Sequence, residues 1–540
     1  MKTLRTEYYS DTSVEVSAES RRTFAIISHP DAGKTTITEK LLHASGAIRL
    51  AGQVKARGER RRTQSDWMEI EQARGISISS SVMTFDCRNL TYNLLDTPGH
   101  QDFSEDTYRT LTAVDSVIMV IDAAKGIEAQ TLKLFEVCRL RDIPIITFIN
   151  KCDRDSRDLF GLLDEIESTL ALEVAPINWP VGTGSFFHGC YNFRTNVFSN
   201  SSIGRGAPHD AEVLCDDIRD RRFKDCVMPS VYDEFVEEAT LASSEYAELQ
   251  LDAYLEGYQT PVIFGSGLKD YGIRDLLDLL GEIAPSPRIQ PAEPAPVSPE
   301  DDDVTGFVFK VQANMDPKHR DRIAFLRICS GSFLRGMKLR HSRTGKSLSV
   351  HNPIFFFAQD RELADHAAPG DIIGIPNHGT IQVGDAFTSG REVRFTGIPN
   401  FAPEILCRVR LKDPMKAKQM RKALEDLSDE GVAQLFRPVI GGQWIVGVVG
   451  QLQLDVLTSR IAVEYGINVE FELAPFNTVR WVTSESENAL QDFLSRNRSA
   501  FAEDRNDAPV LLVRNLWELD RQKTEWPMIS FSRTSERSSS

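Results

Sequence analysis

The chain has 540 residues, 41% of them hydrophobic, so we expect it to divide into about three or four domains. Its eight cysteines include no CxxC pair, which argues against a disulfide framework and a structural zinc site. The formal net charge of −16 disfavours general binding to DNA, and any contact with nucleic acid must use local basic clusters.

Residues 1–22 mix charges and contain no apolar core segment, so we predict an N-terminal extension rather than a targeting sequence. The most apolar runs, such as Ser116 to Ala124, are too short to cross a bilayer. We therefore expect a cytoplasmic protein that has no membrane partner.

Residues 23–284 alternate strand-like and helix-like stretches, which is typical of a doubly wound parallel α/β sheet. The alternation is interrupted at about 179–257, where we predict an inserted subdomain. Residues 285–303 are rich in proline and acidic residues and are predicted to be a linker with too little apolar surface to fold.

Residues 304–393 contain short alternating runs separated by turn signals, and this spacing predicts a β-barrel. Residues 394–520 follow the order strand, helix, strand, strand, helix, strand, with a further C-terminal helix. That order predicts a ferredoxin-like α+β domain. The tail, 521–540, ends without apolar periodicity and is predicted to be disordered.

Four short fragments each follow an apolar, β-rich run within the first domain. The fragments are Asp31–Thr36, Asp96–His100, Asn150–Asp153 and Ser266–Leu268. Because ligands bind at the carboxyl ends of the strands in open α/β sheets, the four fragments should meet at one edge. Their order predicts a guanine-nucleotide site.

The first fragment has the chemistry of a phosphate-binding loop. Gly33 lets the backbone close on phosphate oxygens, Lys34 supplies a full charge, and Thr35 would hold Mg²⁺. The usual pattern has a glycine five residues before Gly33, where this chain has Ser28. The residues predicted to bind GTP in this region are Ser28, Asp31, Ala32, Gly33, Lys34, Thr35 and Thr36.

The second fragment supplies a carboxylate and a flexible turn. Asp96 would bind Mg²⁺ through water, and the Gly99 N–H would meet the γ-phosphate. Loss of that phosphate would release the turn, so the nucleotide state becomes a conformational signal. His100 follows directly and is the predicted catalytic residue, because it is placed to orient the attacking water in a reaction with a loose transition state.

The last two fragments select the base. The Asp153 carboxylate can accept two hydrogen bonds from guanine, from groups that adenine lacks or reverses. Asn150 would fix the loop, Lys151 would lie along the face of the base, and the backbone of Ser266, Gly267 and Leu268 would meet guanine O6.

The segment Arg74-Gly75-Ile76-Ser77-Ile78, together with His100, resembles the translational GTPases. The resemblance implies that the Ser77 hydroxyl closes over Mg²⁺, where elongation factors carry threonine. It also implies a monovalent cation at Asp31 and an apolar gate, formed by Pro30 and Ile76, in front of His100.

Within that superfamily the chain resembles most the bacterial peptide chain release factor 3 family, from about residue 21 to 480. The matching segments are Ser28–Thr36, Arg74–Ile78, Phe307–Arg322, Asn377–Ile381 and Phe395–Glu404. The family implies a monomeric, ribosome-stimulated GTPase that uses Mg²⁺ and promotes departure of the codon-reading, class I release factors after termination.

Ribosomal RNA is the nucleic acid that such a factor would meet. Seven basic residues of the third domain are candidates for that contact, namely Arg408, Arg410, Lys412, Lys416, Lys418, Arg421 and Lys422. Two smaller basic groups lie at Arg57–Arg62 and Lys318–Arg322. A solvated face remains the alternative explanation for each cluster.

Three alternative functions stay open at this point. An elongation factor G-like translocase or a ribosome-protection protein would carry two further domains, for which we expect no room in this chain. An adenine-nucleotide motor or kinase would not need Asp153. A GTP-controlled scaffold without turnover would keep Lys34 and Asp153 but would not need His100.

Overall fold

The structure is a computed structural model that describes residues 17–48, 71, 77–200, 212–313, 322–357 and 360–536. Three segments on which predictions rested, Arg57–Arg62, Arg74–Ile76 and Lys318–Arg320, lie outside the described residues. No described helix is both long and apolar enough to cross a membrane.

The first unit is built on seven strands in the spatial order β2-β3-β1-β4-β5-β11-β6, all parallel except β2. Their bounds are β1 Arg21–Ser28, β2 Ser81–Cys87, β3 Leu90–Asp96, β4 Ser116–Asp122, β5 Ile145–Asn150, β6 Glu173–Pro176 and β11 Gln259–Phe264. The helices between them are α1 Lys34–Ala44, α2 Ser104–Leu111, α3 Ala129–Leu140, α4 Leu159–Leu170 and α8 Ile273–Ile283.

Helices cover both faces of this sheet because alternate residues of each strand point to opposite sides. Phe24 and Ile26 of β1 pack in the core that contains Leu41 of α1. Ala25 and Ile27 pack in the other core, with Leu134 of α3 among its members. This sheet confirms the predicted doubly wound first unit.

A small antiparallel sheet and three helices lie between β6 and β11. Their bounds are β7 Asn178–Val181, β8 Gly189–Asn192, β9 Val197–Asn200, β10 Glu212–Leu214, α5 Arg221–Lys224, α6 Pro229–Glu245 and α7 Leu251–Leu255. Their aromatic core centres on Phe223, which contacts Tyr191, Phe198 and Phe235.

The predicted linker is ordered, so the expectation that it has too little apolar surface to fold is wrong. Strand β12, Ala292–Glu293, pairs with β23, Arg394–Phe395, and Val297 is buried. The segment needs no core of its own because it uses apolar surface that its neighbours supply.

The second unit is a curled antiparallel sheet that continues from the first through a single pairing of Phe357 with Met83. Its strands are β13 Thr305–Ala313, β14 Arg322–Ser330, β15 Phe333–Leu334, β16 Lys338–His341, β17 Ser347–Ser349, β18 Ile354–Phe357, β19 Asp360–Leu363, β20 His366–Ala367, β21 Ile372–Pro376 and β22 Ala386–Thr388. A buried ion pair joins the two units, with Arg327 Nη2 2.8 Å from Asp115 Oδ1.

The third unit begins with a split βαβ motif in which the strand order is β28-β25-β27-β26. Its elements are β25 Ile405–Leu411, α9 Ala417–Asp429, β26 Gln434–Pro438, β27 Ile445–Val448, α10 Gln451–Tyr465 and β28 Val469–Leu473. The two helices pack on one face of the sheet, through buried residues such as Leu427 and Leu457. This arrangement confirms the ferredoxin-like fold.

The same sheet continues beyond that motif, in the order β26-β30-β31-β29-β32. The added elements are β29 Thr478–Thr483, α11 Glu487–Arg496, β30 Phe501–Glu503, β31 Pro509–Val513, α12 Leu516–Glu525, β32 Ser530–Ser532 and β33 Thr534–Glu536. Strand β33 pairs with β24, Pro399–Phe401.

The predicted disordered tail is therefore wrong for residues 521–536. Trp526 and Phe531 pack edge-on against Phe493, and Ile529 is buried. The sequence-based prediction relied on the polar last residues and overlooked these three apolar side chains, whose spacing matches no regular period.

Candidate nucleotide-binding site

The loop between β1 and α1 has the backbone shape that a phosphate-binding loop requires. Asp31 and Gly33 adopt positive φ angles of 65° and 100°. A Cβ added at Gly33 would lie 2.3 Å from Asn150 Nδ2, so the position has no room for a side chain. Ser28, at the place of the usual glycine, donates its hydroxyl to the His29 carbonyl at 2.9 Å.

Lys34 begins α1 and meets the end of β3. Its Nζ donates to Asp96 Oδ1 at 2.5 Å, and Thr38 Oγ1 donates to the same oxygen at 3.2 Å. Lys34 and Asp96 are both buried. The structure therefore brings the predicted phosphate lysine and the predicted Mg²⁺-binding carboxylate together at one strand edge.

The donor set proposed for Mg²⁺ consists of hydroxyls and one carboxylate, from Thr35, Ser77 and Asp96. Hard oxygen donors of this kind fit Mg²⁺, which usually binds through one or two carboxylates, water and phosphate. Thr35 lies half-buried in the first turn of α1, and Ser77 is buried. The described part of the chain contains no group of three or more His, Cys, Asp or Glu side chains that could bind a metal.

Asn150 connects three of the four fragments through one side chain. Its Nδ2 donates to the Ala32 carbonyl at 2.8 Å, while Oδ1 accepts from the Lys151 and Gly267 N–H groups at 2.9 Å each. This amide therefore joins the phosphate loop to both loops that were predicted to select the base.

Lys151 lies beneath the phosphate loop. Its Nζ donates to the Asp31 carbonyl at 2.5 Å and to Asp122 Oδ2 at 2.7 Å. Burial alone would raise the pKa of Asp122, but the hydrogen bonds from Lys151 and the Ala124 N–H hold that pKa below its usual value. Sequence reasoning missed Asp122, although its position at the end of β4 was a usable signal.

The remaining base-side residues lie in two adjacent loops. Asp153 is half-buried, Gly267 is held by Asn150, and Leu268 is exposed. Ser266 exchanges two backbone hydrogen bonds of 3.1 Å with Tyr271. Burial raises the pKa of the Cys152 thiol to about 12, so this residue has no thiolate chemistry near neutral pH.

The turn after β3 lies against the phosphate loop. A Cβ at Gly99 would be 3.9 Å from Pro30 Cα, which shows how closely the two backbones approach. His100 is about one-third exposed, and its Nδ1 accepts a hydrogen bond from the Asp102 N–H at 3.2 Å. Because Nδ1 accepts, the neutral imidazole carries its proton on Nε2.

His29, which sequence reasoning did not single out, follows β1 directly, and its Nε2 lies 3.5 Å from Glu128 Oε2. Its side chain is completely buried, and neither ring nitrogen has a hydrogen-bond partner within the described structure. Burial lowers the pKa of His29, so the ring is neutral near pH 7.

The segment that follows His100 is enclosed by the other two units. Asp102 Oδ2 accepts from the Leu452 N–H of α10 at 2.8 Å, and Phe103 packs with Ile78 and Val456. Arg109 Nη2 donates to the Gly431 carbonyl at 2.9 Å. No sequence signal marked these contacts.

From the second unit, Lys310 reaches the same region. Its Nζ donates to Ser79 Oγ at 2.6 Å and lies 3.8 Å from Asp106 Oδ2. Burial alone would raise the pKa of Asp106, but Lys310, Arg109 and two hydrogen bonds from Ser80 hold it below its usual value.

The basic stretch of the third unit is divided by the fold. Arg410 and Lys412 pair with Glu472 and Glu470 at 2.7 and 2.9 Å, and Lys416 donates to the Gly466 carbonyl at 2.8 Å. The exposed residues Lys418, Arg421 and Lys422 lie on α9, where Arg421 stacks over Trp444. Arg322, expected in a basic cluster, instead forms a salt bridge of 2.8 Å with Asp426.

Comparison with known families divides the chain in the same order as the fold. Residues 19–286 match the Elongation factor Tu GTP binding domain, residues 303–390 match Elongation factor G domain 2, and residues 395–523 match the Class II release factor RF3, C-terminal domain. A crystal structure of a Thermus thermophilus protein aligns with a TM-score of 0.68 at 23% identity, over 86% of this chain and 70% of that one. That structural likeness concerns the fold alone.

Proposed function

From the three family matches, which together indicate a class II release factor of the translational GTPase family, we propose that this GTPase promotes dissociation of class I release factors from the ribosome after termination. The match of residues 395–523 to the C-terminal domain of class II release factors carries the proposal. Family membership implies GTP hydrolysis, Mg²⁺ and interaction with the ribosome. The action on class I release factors goes beyond what family membership implies and is the part that we propose.

The arrangement of the described residues supports separate roles in binding the phosphates, Mg²⁺ and the base. Gly33 and Lys34 bind the phosphates, and the hydroxyls of Thr35 and Ser77 together with Asp96 hold Mg²⁺, which neutralises phosphate charge. Lys34 is now paired with Asp96, and it would exchange this carboxylate for the phosphates when the nucleotide binds, which would free Asp96 for Mg²⁺. Ser28, Asp31, Ala32 and Thr36 complete the loop, and Asp31 also provides a candidate site for a monovalent cation.

The base is selected at the other end of the site. Asp153 accepts the two guanine N–H groups, while Gly267, with Ser266 and Leu268, presents backbone to O6. Asn150 holds the phosphate loop and the two base-side loops together through its side-chain hydrogen bonds, and Lys151 lies against the face of the base. An adenine base would leave the Asp153 acceptors unpaired, which disfavours it strongly.

His100 orients the attacking water when Gly99 turns toward the γ-phosphate. Little covalent chemistry is required of the protein in phosphoryl transfer, so positioning accounts for most of the effect. In the described structure His100 Nδ1 is already engaged by the Asp102 N–H. The Asp102 N–H therefore orients the ring, and Nε2 is the nitrogen that would face the attacking water.

The nucleotide signal reaches the third unit through the segment after His100. A change at Gly99 moves Asp102 and Phe103, whose partners Leu452 and Val456 belong to α10. GTP and GDP then favour different placements of the third unit. The GTP-bound protein binds one conformation of the ribosome more tightly than the other, and this difference in affinity favours the conformation that binds the release factor less well. The protein acts as a monomer in the cytoplasm, where the ribosomes are.

The decisive experiment follows a fluorescently labelled class I release factor on post-termination ribosomes. The protein with GTP should accelerate dissociation of the label, and GDP should be much less effective. The same preparation should not move transfer RNA and messenger RNA by one codon. Translocation without release-factor dissociation would instead favour an elongation factor G-like function.

A further inference from the structure

We propose that Asn178, the first residue of the inserted subdomain, is a positioning residue that holds the guanine-recognition loop in place. The inference rests on the assignment made above of residues 150–153 and 266–268 to base recognition. It gives the insertion, whose role the sequence left open, a function in nucleotide selectivity and in the rate of nucleotide release.

The sheet is incomplete beside the end of β11. Strand β6 pairs with β11 only as far as Pro176 opposite Val262, and the Ile177 N–H donates to the Val262 carbonyl at 2.8 Å. The chain then turns away into the insertion. Phe264, the last residue of β11, has β5 on one side, in register with Ile149, but no strand among the described residues pairs with it on the other side.

The side chain of Asn178 takes the place of the missing strand. Its Oδ1 accepts from the Phe264 N–H at 2.7 Å, and its Nδ2 donates to the Phe264 carbonyl at 3.0 Å and to Asp275 Oδ2 at 3.1 Å. Asn178 and Phe264 have no exposed surface. Without the amide, the buried Phe264 N–H would lose its partner and the Phe264 carbonyl would keep only the weak S–H donor of Cys190, at 3.4 Å, which is costly.

Little freedom remains between this anchor and the loop. Gly265 is packed so closely that an added Cβ would lie 2.3 Å from the Tyr271 carbonyl oxygen. Ser266 is paired with Tyr271, and the Gly267 N–H is fixed on Asn150 Oδ1. A displacement of Phe264 is therefore passed to Gly267 and to Asn150, which also holds the phosphate loop.

The insertion contacts the second base-side loop as well. The Gly184 N–H donates to the Cys152 carbonyl at 3.0 Å, directly before Asp153. Phe187 packs edge-on against Tyr271, with ring centroids 5.4 Å apart, and Trp179 packs against Phe264 at 5.2 Å. Residues 178–187 thus hold both loops: Gly184 bonds one loop directly, and Asn178 holds Phe264, two residues before Ser266.

The chain offers a matched control in Asn192. This asparagine is also buried in the insertion, but its Nδ2 donates to Asp275 of α8 at 2.9 Å, and its Oδ1 accepts from the Arg194 and Thr195 N–H groups. Asn192→Ala therefore removes a comparable amide whose hydrogen bonds go to α8 and to the insertion itself.

The test compares Asn178→Ala with Asn192→Ala in the full chain, using fluorescent GDP and GTP for dissociation rates and ADP for base preference. Asn178→Ala should raise the GDP dissociation rate at least about tenfold and reduce the preference for GDP over ADP. Asn192→Ala should change both by less than about twofold. Equal GDP dissociation rates and equal base preferences in the two variants would overturn the proposal. The unfolding temperature is measured as well, because a loss of stability alone would lower it without changing base preference.

If Asn178→Ala does not fold, Phe187→Leu decides the question. This variant keeps a buried apolar side chain but removes the ring from Tyr271, and it should raise GDP dissociation about threefold. An unchanged rate in a folded Phe187→Leu protein would overturn the role proposed for the insertion in nucleotide release. The variant Asp153→Asn tests the assignment of the base-recognition loops separately. If Asp153→Asn gains no binding of xanthosine nucleotides, that assignment fails. If Asp153→Asn does gain this binding but Asn178→Ala leaves GDP dissociation and base preference unchanged, only the role of Asn178 is refuted.

Discussion

The Asp102 carboxylate accepts a hydrogen bond from the Leu452 N–H at 2.8 Å, across a sequence separation of 350 residues. The backbone N–H of the same aspartate donates to His100 Nδ1. A single residue therefore links the proposed catalytic histidine to the first turn of α10 in the third unit.

The first prediction concerns that link. Asp102→Ala should weaken docking of the third unit by about 0.5 to 2 kcal/mol, because a helix N-terminus loses its side-chain acceptor. Amide hydrogen exchange at Leu452 and its neighbours should become correspondingly faster. Asp102→Asn, which keeps an acceptor oxygen, serves as the control. Unchanged exchange in the alanine variant would show that the bond does not hold α10.

The second prediction separates binding from turnover. His100→Ala should reduce ribosome-stimulated GTP hydrolysis by about 10²- to 10⁴-fold, with nucleotide affinity nearly unchanged, because the imidazole acts only when the water is in place. His43→Ala, an exposed histidine on α1, is the matched control. Phosphate release and fluorescent-nucleotide titration measure the two quantities. Equal loss of both would mean that His100 has a structural role.

The third prediction concerns the base. Asp153→Asn should weaken GTP binding by about 3 to 6 kcal/mol, because two charge-assisted hydrogen bonds are lost. Xanthosine triphosphate should bind better to this variant than GTP does, since its carbonyl meets the new amide donor. Asp155→Asn, an exposed neighbour, should bind GTP normally. Tight binding of ATP by the unaltered protein would contradict the assignment.

The fourth prediction uses the pair formed by Lys310 and Asp106. In the unaltered protein the folded pKa of Asp106 lies below its unfolded value, so this carboxylate stabilises the fold above the unfolded pKa and loses that effect as pH falls through the folded one. Lys310→Met should lower the free energy of unfolding by about 2 kcal/mol at pH 7. This loss is smaller than the loss expected for a fully buried ion pair, because the Asp106 side chain is 21% exposed and solvent screens it.

The pH dependence provides the check. Lys310 is the strongest of the groups that hold the pKa of Asp106 down, so its removal raises that pKa and the destabilisation should shrink as pH falls through it. Denaturant unfolding at several pH values measures it, with the exposed Lys338→Met as the control. A loss of stability that is independent of pH would exclude the ion pair as its cause.

The fifth prediction concerns the ribosome. Charge reversal at Lys418 and Lys422, which are exposed on α9, should weaken ribosome binding and lower its salt dependence without changing nucleotide affinity. Lys416 is a poor choice because it also binds the Gly466 carbonyl. Reversal of exposed Lys133 and Lys523 is the control. Ribosome pelleting that is unchanged across a salt series would leave α9 as a solvated helix.

The sequence by itself determined the nucleotide-binding fold and most of the candidate site. Apolar strands alternating with helices make a parallel sheet, and parallel strands end at one edge, so Lys34, Asp96 and Asn150 had to lie close together. The split βαβ motif was predictable for the same reason, since local periodicity encodes each of its elements. These features depend on short segments whose patterns are visible within a few residues.

Only the tertiary structure decided which surfaces meet. Leu452 opposite Asp102, Asp426 opposite Arg322 and Phe264 opposite Asn178 are separated by 350, 104 and 86 residues, and no periodic pattern connects the partners. Arg322 could not be distinguished from an exposed basic residue until Asp426 was found beside it. Such contacts depend on tertiary packing, because each partner is satisfied only by a group from a distant part of the chain, which in two of the three pairs belongs to another unit.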